Sequence, residues 1–272
     1  MSSNKALVVL SGGQDSTTCL AWASKYFSEV HAITFDYGQR HQRELQAAKD
    51  VARIFGVKSH EIMSLGRILK GRSPLTDHSA QLEQYADHES MEKIIGDRVE
   101  LTFVPMRNAL FFTLAANHAI CLDIRSIVTG ICAADNANYP DCTPAFAKAQ
   151  EQAINEALGI KDFAIFAPLL YLSKPSSIGL MKSFGPEALA SLAFTHTAYD
   201  GQYPPVGKDH ATILRAQGIL EANLPDPLVL RAVASGLMSL PASMNYASPE
   251  VNLSILEDIA ALRQKFPGIG AA

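Results

Sequence analysis

The feature that most constrains the fold of this chain is a short apolar run that ends in a glycine loop. Residues 6–10 are apolar and rich in branched side chains, which is typical of a buried parallel strand, and residues 11–16 read Ser-Gly-Gly-Gln-Asp-Ser. Residues 17–23 continue with an apolar helical pattern. A strand, a glycine turn and a helix start form an anion site, because unpaired backbone N–H groups and the positive end of the helix dipole converge there. The sequence therefore predicts a phosphate-binding loop after the first strand.

The residue types of this loop suit a nucleotide. Glycine lets the backbone approach a phosphate closely, serine hydroxyls add donors, and the carboxylate of Asp15 is suited to hold a magnesium ion that bridges phosphates. No Gly-Lys-Ser/Thr follows the glycines, which excludes the Walker loop. The hexapeptide instead resembles the PP-loop of the ATP pyrophosphatases, S-G-G-x-D-S; an ordinary capped turn is the alternative. The residues predicted to bind ATP here are Ser11, Gly12, Gly13, Gln14, Asp15 and Ser16.

Strand and helix signals alternate along most of the chain. The strand signals are residues 30–35, 57–63, 126–131 and 163–166, and a helical apolar stripe covers residues 42–55. This alternation predicts right-handed strand–helix–strand crossovers and an α/β fold with a parallel, Rossmann-like sheet. Ligands of such sheets bind beyond the carboxyl ends of the strands, where the glycine loop lies.

Two segments depart from this alternation. Residues 66–100 are irregular and rich in His, Asp and Glu, which favours a solvated surface segment over a lid on the site. After two closely spaced prolines the composition becomes helical, and a last helix is predicted to start at Ser248 and to lead to Lys265. We therefore divide the chain into a domain of residues 1–224 and a helical C-terminal extension of residues 225–272.

Composition narrows the function classes. The 272 residues are 48% hydrophobic with a formal net charge of −4, which supports a large core and argues against a surface built to bind nucleic acid. The four cysteines form no Cys-x-x-Cys pair, and those in predicted helices, Cys19 and Cys121, are expected to be buried free thiols. The first apolar run is too short for a signal peptide, and no stretch approaches the ~20 apolar residues of a membrane helix. We expect a cytoplasmic protein with no membrane contact.

Several longer motifs occur together in the order of one family. They are Phe-Asp-Tyr-Gly-Gln-Arg-His at 35–41, Arg-Asn at 107–108, Thr-Gly-Ile-Cys at 129–132, Tyr-Pro-Asp-Cys at 139–142, Lys174, and Arg-Ala-Gln-Gly at 215–218. On these motifs the chain resembles the QueC family, the 7-cyano-7-deazaguanine synthases of the PP-loop superfamily. The fold that the resemblance implies is a PP-loop domain like that of the adenine nucleotide alpha hydrolases.

The resemblance implies an ATP-dependent reaction that forms AMP. A 7-carboxy-7-deazaguanine attacks the α-phosphate of ATP, which releases pyrophosphate and gives an acyl adenylate. Ammonia then displaces AMP to form an amide, and a second adenylation, on the amide oxygen, allows formation of a nitrile. The implied cosubstrate is ATP with Mg²⁺, and the implied assembly is a homodimer.

The resemblance also implies roles for residues of the matching motifs. Arg107 and Lys174 would neutralise charge on the phosphates, and Asp141 would pair with the N–H edge of the base or deprotonate the amine. Phe35 is either a stacking platform for a purine or part of the core. The implied catalytic residues are Asp15, Arg107, Asp141 and Lys174; further nucleotide contacts are Phe35, Arg107, Asn108 and Gly130; substrate contacts are Gln39, Arg40, Tyr139, Asp141 and Thr197.

One departure from the family is informative. The family carries four zinc-binding cysteines before its Arg-Ala-x-Gly motif, and at the aligned positions this chain has Ala198, Val206, Asp209 and Thr212. We therefore expect no zinc, and the C-terminal extension is a candidate to pack over the gap. The altered loop lies near where the family brings its nitrogen donor, so a larger amine, including a protein amine, is a candidate substrate. An amide with a substituent on nitrogen cannot lose both protons to become a nitrile, and the reaction would end at a conjugate. QueC-like proteins of this diverged kind occur in bacterial defence systems.

Two other functions stay open at this point. A PP-loop tRNA-modifying enzyme, such as a tRNA thiolase, usually has catalytic cysteine pairs and a basic surface, which this sequence lacks. A non-catalytic paralogue would keep the nucleotide site for sensing or assembly, and the intact loop with Arg107, Asp141 and Lys174 disfavours it.

Overall fold

A parallel β-sheet forms the centre of the protein. The computed structural model describes residues 4–40, 43–133, 137–205, 207–239 and 249–271. Within these residues five strands pair in the order β3-β2-β1-β4-β5, and every pairing is parallel. The strands are β1 (Lys5–Val9), β2 (Glu29–Asp36), β3 (His60–Ser64), β4 (Ser126–Val128) and β5 (Ala164–Phe166). The predicted α/β fold with a Rossmann-like parallel sheet is confirmed.

Helices cover both faces of this sheet. They are α1 (Gln14–Tyr26), α2 (Arg43–Ile54), α3 (His88–Ile95), α4 (Arg107–Cys121), α5 (Pro144–Leu158), α6 (Lys174–Ser183), α7 (Pro186–Ser191), α8 (His210–Glu221), α9 (Pro227–Ala234) and α10 (Pro249–Lys265). Two short 3₁₀ helices span Pro140–Cys142 and Leu192–Phe194. Among the described residues, no helix is both long and apolar enough to cross a membrane.

The central strand is buried on both faces, which explains its uninterrupted apolar sequence. Val8 packs in a cluster with side chains of α1, α6, α7 and α10, whereas Leu7 packs in a second cluster with side chains of α4. Alternating side chains of a strand point to opposite faces, so each layer of helices receives every second residue of β1. The strand order reverses between β1 and β4, and ligands of open α/β sheets bind at such a switch point.

Two predicted strands differ in length from the observed ones. The third was predicted from Val57, but the backbone N–H of Val57 donates to the carbonyl of Ala52 and completes the end of α2, so that β3 begins at His60. The fourth was predicted to reach Ile131 and ends at Val128, because the chain then turns towards the start of α1, where Cys19 donates to the carbonyl of Thr129.

The segment of residues 66–100 is not simply a solvated surface, and that prediction was wrong for its apolar side chains. Tyr85, Met91 and Ile95 are buried against Ile213 and Leu214 of α8. The many acidic and histidine side chains between them hid this apolar spacing in the sequence. The prediction that Cys121 is buried was also wrong, because the last residue of α4 faces solvent; Cys19 is buried, as predicted.

The C-terminal extension packs on the rest of the protein. Ile255, Ile259 and Leu262 of α10 lie in the same apolar cluster as Val8 of the central strand, and α10 runs against α7. The last helix begins at Pro249; the predicted cap, Ser248, lies outside the described residues. A boundary near residue 224 stays a prediction.

Candidate active site

A cavity of about 560 Å³ opens at the carboxyl ends of β1, β2 and β4, where the strand order reverses. It is large enough for a nucleotide-sized ligand. Of the residues predicted as nucleotide, substrate or catalytic contacts, those that line it are Ser11, Gly13, Gln14, Asp15, Ser16, Phe35, Gln39, Arg107, Asn108, Gly130, Tyr139, Lys174 and Thr197. Gly12, Arg40 and Asp141 do not line it.

The phosphate loop presents an uncapped helix start to this cavity. Gly13 is the N-cap residue of α1 and has no side chain to bond the amides of the first turn. Ser11 and Ser16 bond each other through their hydroxyls, 3.1 Å apart, and Ser16 also donates to the carbonyl of Gly13. The serines therefore shape the loop, while the first-turn amides of α1 face the place where an anion binds a helix N-terminus.

Gly12 was predicted to take a backbone conformation that a side chain would forbid and to let a phosphate approach, and the second part stays a prediction. The structure adds a further reason for glycine: a Cβ on Gly12 would lie 2.4 Å from the carbonyl oxygen of Glu44 and 2.6 Å from the amide nitrogen of Ala48. Its φ of +85° also favours glycine. Gly12 is thus required by the close passage of α2. Gly130 has the same role on the other side, because a Cβ there would lie 3.0 Å from the amide nitrogen of Ser16.

The side chain of Gln14 indicates a ligand. Gln14 is 6% exposed and lines the cavity, yet neither its amide oxygen nor its amide nitrogen has a hydrogen-bond partner among the described residues. A buried amide without partners is costly, since both atoms have lost their water. A ligand in the cavity that offers a donor and an acceptor would remove this cost.

Lys174 and Asp15 form an ion pair at the mouth of the phosphate loop. The Nζ atom of Lys174 lies 2.9 Å and 3.2 Å from the two carboxylate oxygens of Asp15. The stem of Lys174 runs over Gly218 of α8, where a Cβ would lie 2.3 Å from the Cγ of Lys174. The glycine of the Arg-Ala-Gln-Gly motif therefore positions the lysine.

Arg107 lies in the cavity wall among tyrosines. Burial raises the pKa of Tyr37, Tyr139 and Tyr199, so these phenols stay neutral at pH 7. Arg107 is only partly buried, and it lies close enough to Tyr37 and to the carboxylate of Asp141 for electrostatic interaction with both. A guanidinium that borders the cavity in this way is suited to bind an anionic ligand.

Glu44 is a cavity residue that the sequence reasoning missed. Glu44 lies in the first turn of α2 and lines the cavity. In the described lining, the two carboxylates are those of Asp15 and Glu44. Its charge acts on both Tyr37 and Tyr199. The available signal was its place three residues after the 35–41 motif, on the same turn. Other lining residues that were missed are Leu75, Phe111, His196, Tyr199 and His210.

Asp141 and Arg40 do not line the cavity, and both bond neighbouring loops or helix starts. Asp141 accepts from the backbone N–H of Asn108 at 3.2 Å, and its carbonyl accepts from the Asn108 side chain, so that it fixes the start of α4. Arg40 donates to three carbonyls, those of Asp77, His78 and Ala80, and thereby holds the loop before α3. Their sequence motifs gave no sign of which way these side chains turn.

Some aromatic residues of the cavity wall also belong to the hydrophobic core. Phe35 is 5% exposed and stacks on Phe111 with ring centroids 4.4 Å apart, which supports its reading as core that also borders the cavity. The hydroxyl of Tyr139 bonds Thr102 and donates to Glu100, a buried carboxylate behind the wall. These bonds fix the ring of Tyr139 before any ligand arrives.

The positions that align with zinc ligands form a helix cap instead. Asp209 accepts from the backbone N–H of Thr212 at 3.1 Å, and the Thr212 hydroxyl donates to the Asp209 carbonyl, so that the two residues begin α8. Ala198 is buried, and Val206 lies outside the described residues. Among the residues that the structure describes, no group of three or more His, Cys, Asp or Glu side chains could hold a metal ion. The absence of zinc stays a prediction.

Comparison with known proteins identifies relatives over most of the chain. The family model described as "Queuosine biosynthesis protein QueC" matches residues 5–223. A 7-cyano-7-deazaguanine synthase of Gloeobacter violaceus is 45% identical over 227 residues, which cover 82% of this chain and 95% of the relative. The synthase of Chromobacterium violaceum is 42% identical over 240 residues, 87% of this chain and 98% of the relative. Among solved structures, a 4-thiouridine synthetase–RNA complex with bound ATP matches with a TM-score of 0.43 and 15% identity, over 94% of this chain and 53% of that one.

Proposed function

Because this chain belongs to the family of the queuosine biosynthesis protein QueC, we propose that it activates the carboxylate of 7-carboxy-7-deazaguanine with ATP and transfers the acyl group to an amine. With ammonia, a second activation would give the nitrile, the product after which the relatives are named. Membership of the family confirms the prediction of an ATP-dependent enzyme.

The observation that carries this proposal is the pairing of two anion sites in one cavity. The first turn of α1, which no side chain caps, and the ammonium of Lys174 line this cavity. Arg107, a partly buried cation, lines the same cavity. Adenylation of a carboxylate needs both, since the phosphates and the attacking carboxylate carry like charges that must be brought together.

Each residue of the cavity has a part in the proposed first step. The first-turn amides of α1 and Lys174 would bind the two outer phosphates and stabilise the charge that develops on the leaving pyrophosphate. Asp15 would hold Mg²⁺ against the phosphates, because a carboxylate beside phosphate oxygens is the kind of ligand set that Mg²⁺ takes. Arg107 would bind the substrate carboxylate and orient it for attack on the α-phosphate.

Recognition of the base is assigned to Glu44 rather than to Asp141. The N–H edge of a guanine-like base offers two adjacent donors, which a carboxylate accepts together. Glu44 lines the cavity together with Tyr37 and Tyr199, on which its charge acts, whereas Asp141 is not among the lining residues. The buried amide of Gln14 would bond the nucleotide.

The second part of the proposal concerns which amine accepts the acyl group. We propose that a larger amine, including a protein amine, reaches the acyl group beside Thr197, Tyr199, His210 and Ala211, which line the cavity. Supporting this, Asp209 and Thr212 bond each other at the start of α8, at two of the positions that align with zinc ligands, and the sequence of residues 197–212 contains no cysteine. A conjugate with a substituted nitrogen would stop at the amide, since it has one N–H where nitrile formation needs two.

The number of AMP molecules released per product tests the proposal. The enzyme is incubated with ATP, Mg²⁺, the carboxylate and either ammonia or a peptide amine, and the products are weighed by mass spectrometry. Two AMP per product identify a nitrile, and one AMP per product identifies an amide. Formation of ADP, or AMP release that does not depend on the carboxylate, would contradict it. AMP release that requires tRNA would support a tRNA-modifying enzyme instead. Homodimer assembly, a cytoplasmic location and a role in defence stay predictions.

A further inference from the structure

The position of the phosphate loop depends on two elements that touch Gly12. Helix α2 passes so closely that a Cβ on Gly12 would lie 2.4 Å from the carbonyl oxygen of Glu44. From the other side, the backbone N–H of His196 donates to the carbonyl of Gly12 at 2.9 Å. A shift of α2 or of the segment around His196 would therefore move the loop.

The extension, described over residues 225–239 and 249–271, fixes the segment around His196 through Arg215. Arg215 is 3% exposed and lines the cavity. Its Nε and Nη2 atoms donate to the two carboxylate oxygens of Asp226, each at 2.8 Å. Its Nη1 atom donates to the hydroxyls of Thr195 and Thr197, at 2.8 Å and 3.1 Å.

This arrangement uses every donor of the guanidinium. The fifth N–H group of Arg215 donates to the carbonyl of Leu192 at 3.2 Å. Asp226 accepts from the backbone N–H of Leu228 as well, and so caps α9. Because a fully bonded guanidinium cannot turn, the carboxylate of Asp226 holds the hydroxyls on both sides of His196 in place.

A second contact comes from Arg231 of α9. Its guanidinium carbon lies 4.3 Å from the centre of the Tyr203 ring and 5.5 Å from that of Phe194, and its Nε atom donates to the Tyr203 hydroxyl at 2.7 Å. The cation therefore joins two places in the segment that contains His196. Gly270 packs on it so closely that a Cβ would lie 2.7 Å from the Nη1 atom of Arg231.

The end of the extension also holds α2. The backbone N–H of Gly270 donates to Asp50 at 2.8 Å, and Arg53 donates to the carbonyl of Pro267 at 2.8 Å. Both α2 residues lie on the helix whose first turns pack on Gly12. The extension thus contacts both elements that set the loop.

We propose that the extension is a positioning element of the nucleotide site: Asp226, acting through Arg215, holds the Thr195–Thr197 segment, and the backbone of Pro267 and Gly270 holds α2 against Gly12. Neither Asp226 nor Arg231 lines the main cavity; they act through the residues that do. The inference rests on the proposed nucleotide site and is independent of the identity of the amine.

An Asp226→Asn variant tests this inference directly. Asparagine keeps an acceptor for Leu228 and removes the charge that orients Arg215. We expect the Kd for ATP, measured by calorimetry, and the KM for ATP to rise roughly tenfold, because small displacements at a site of this kind are costly. The matched control is Leu262→Ala. Leu262 is a buried residue of α10, so its truncation should lower the Tm. Leu262 takes no part in the described hydrogen bonds of Arg215 or Tyr203. The Kd of the Leu262→Ala variant for ATP is expected to stay unchanged.

A double-mutant comparison separates positioning from loss of stability. If Asp226 acts through Arg215 and Thr197, the effects of Asp226→Asn and Thr197→Val on the Kd for ATP are not additive. Additive effects, or an unchanged Kd in Asp226→Asn, would overturn the inference. Should Asp226→Asn not fold, Tyr203→Phe removes one hydrogen bond and keeps the ring; an unchanged Kd there would overturn it too. Binding is measured without turnover, so a wild-type protein that binds ATP and releases no AMP would contradict the proposed function alone.

Discussion

Arg107 shows how a single residue can be placed for binding before a ligand is present. The guanidinium is partly buried in the cavity wall, where it hydrogen-bonds Tyr37 and interacts with the charge of Asp141. Lys174 is likewise paired with Asp15 before any ligand binds.

Replacement of Arg107 by Met is expected to abolish most activity with little change in stability. The kcat/KM should fall roughly a hundredfold or more, because one preorganised charge at the reacting carboxylate is lost. The Tm should change little, because the guanidinium is only partly buried. Arg125→Met is the matched control: Arg125 pairs with Asp162 at the surface, and its loss should change neither quantity. A lowered Tm in Arg107→Met would show that the guanidinium has a structural partner.

Gly218 is expected to be essential through its effect on Lys174. A Gly218→Ala methyl would collide with the Cβ and Cγ atoms of Lys174 and turn the ammonium away from Asp15, which should lower kcat/KM roughly a hundredfold. Gly179→Ala in α6 is the control, since a Cβ there meets nothing within 4 Å. That variant should keep its activity and gain up to about 1 kcal/mol of stability from helix propensity. Equal activities of the two variants would contradict the positioning role.

At the scale of secondary-structure elements, the carboxyl groups that cap two helices have pKa values shifted in opposite directions. Asp209 and Asp87 both cap helices with the same side-chain-to-backbone bond, at the start of α8 and of α3. Burial raises the pKa of the Asp209 carboxyl, whereas the backbone N–H of Ser90 lowers the pKa of Asp87 at an exposed site. One oxygen of Asp209, Oδ2, is also buried without a partner among the described residues.

The two caps should therefore respond to pH with opposite signs. A carboxyl whose folded pKa is raised contributes stability at acid pH that is lost as pH rises through the folded pKa. Asp209→Asn should accordingly raise the Tm at pH 7, with a gain that shrinks as pH falls through the raised folded pKa and is gone below the ordinary carboxyl pKa. Asp87→Asn should lower the Tm at pH 7, because the favourable charge of Asp87 is present above its unfolded pKa. Thermal unfolding from pH 3 to pH 7 measures both; a gain for Asp209→Asn that grows towards acid pH would refute the assignment.

At the scale of the whole molecule, a feature could be predicted from the sequence when residues close to it in the chain determine it. The glycine loop and the parallel sheet follow from short patterns, the run 6–10 and the hexapeptide 11–16, because strand burial and helix starts are set by neighbouring residues. Whether Glu44 or Asp141 lines the cavity depends on which way each side chain turns in the folded protein. That direction is set by distant contacts.

The same distinction explains what the sequence did not show. The need for glycine at position 12 comes partly from α2, which passes close to it from another part of the chain. Tyr85 and Met91 are buried by α8, which lies more than a hundred residues further along. The bond between Arg215 and Asp226 spans a predicted domain boundary. Each depends on a partner that no local pattern contains.

The most direct test of the central claim follows one oxygen atom. The substrate carboxylate is labelled with ¹⁸O, the enzyme is incubated with unlabelled ATP, Mg²⁺ and an amine, and the AMP formed is analysed by mass spectrometry. If the carboxylate attacks the α-phosphate in the cavity that Arg107 and the first turn of α1 line, each acyl transfer leaves one labelled oxygen on AMP. The Arg107→Met variant should then form less AMP and correspondingly less labelled AMP. AMP without ¹⁸O, or label in inorganic phosphate beside ADP, would contradict the account.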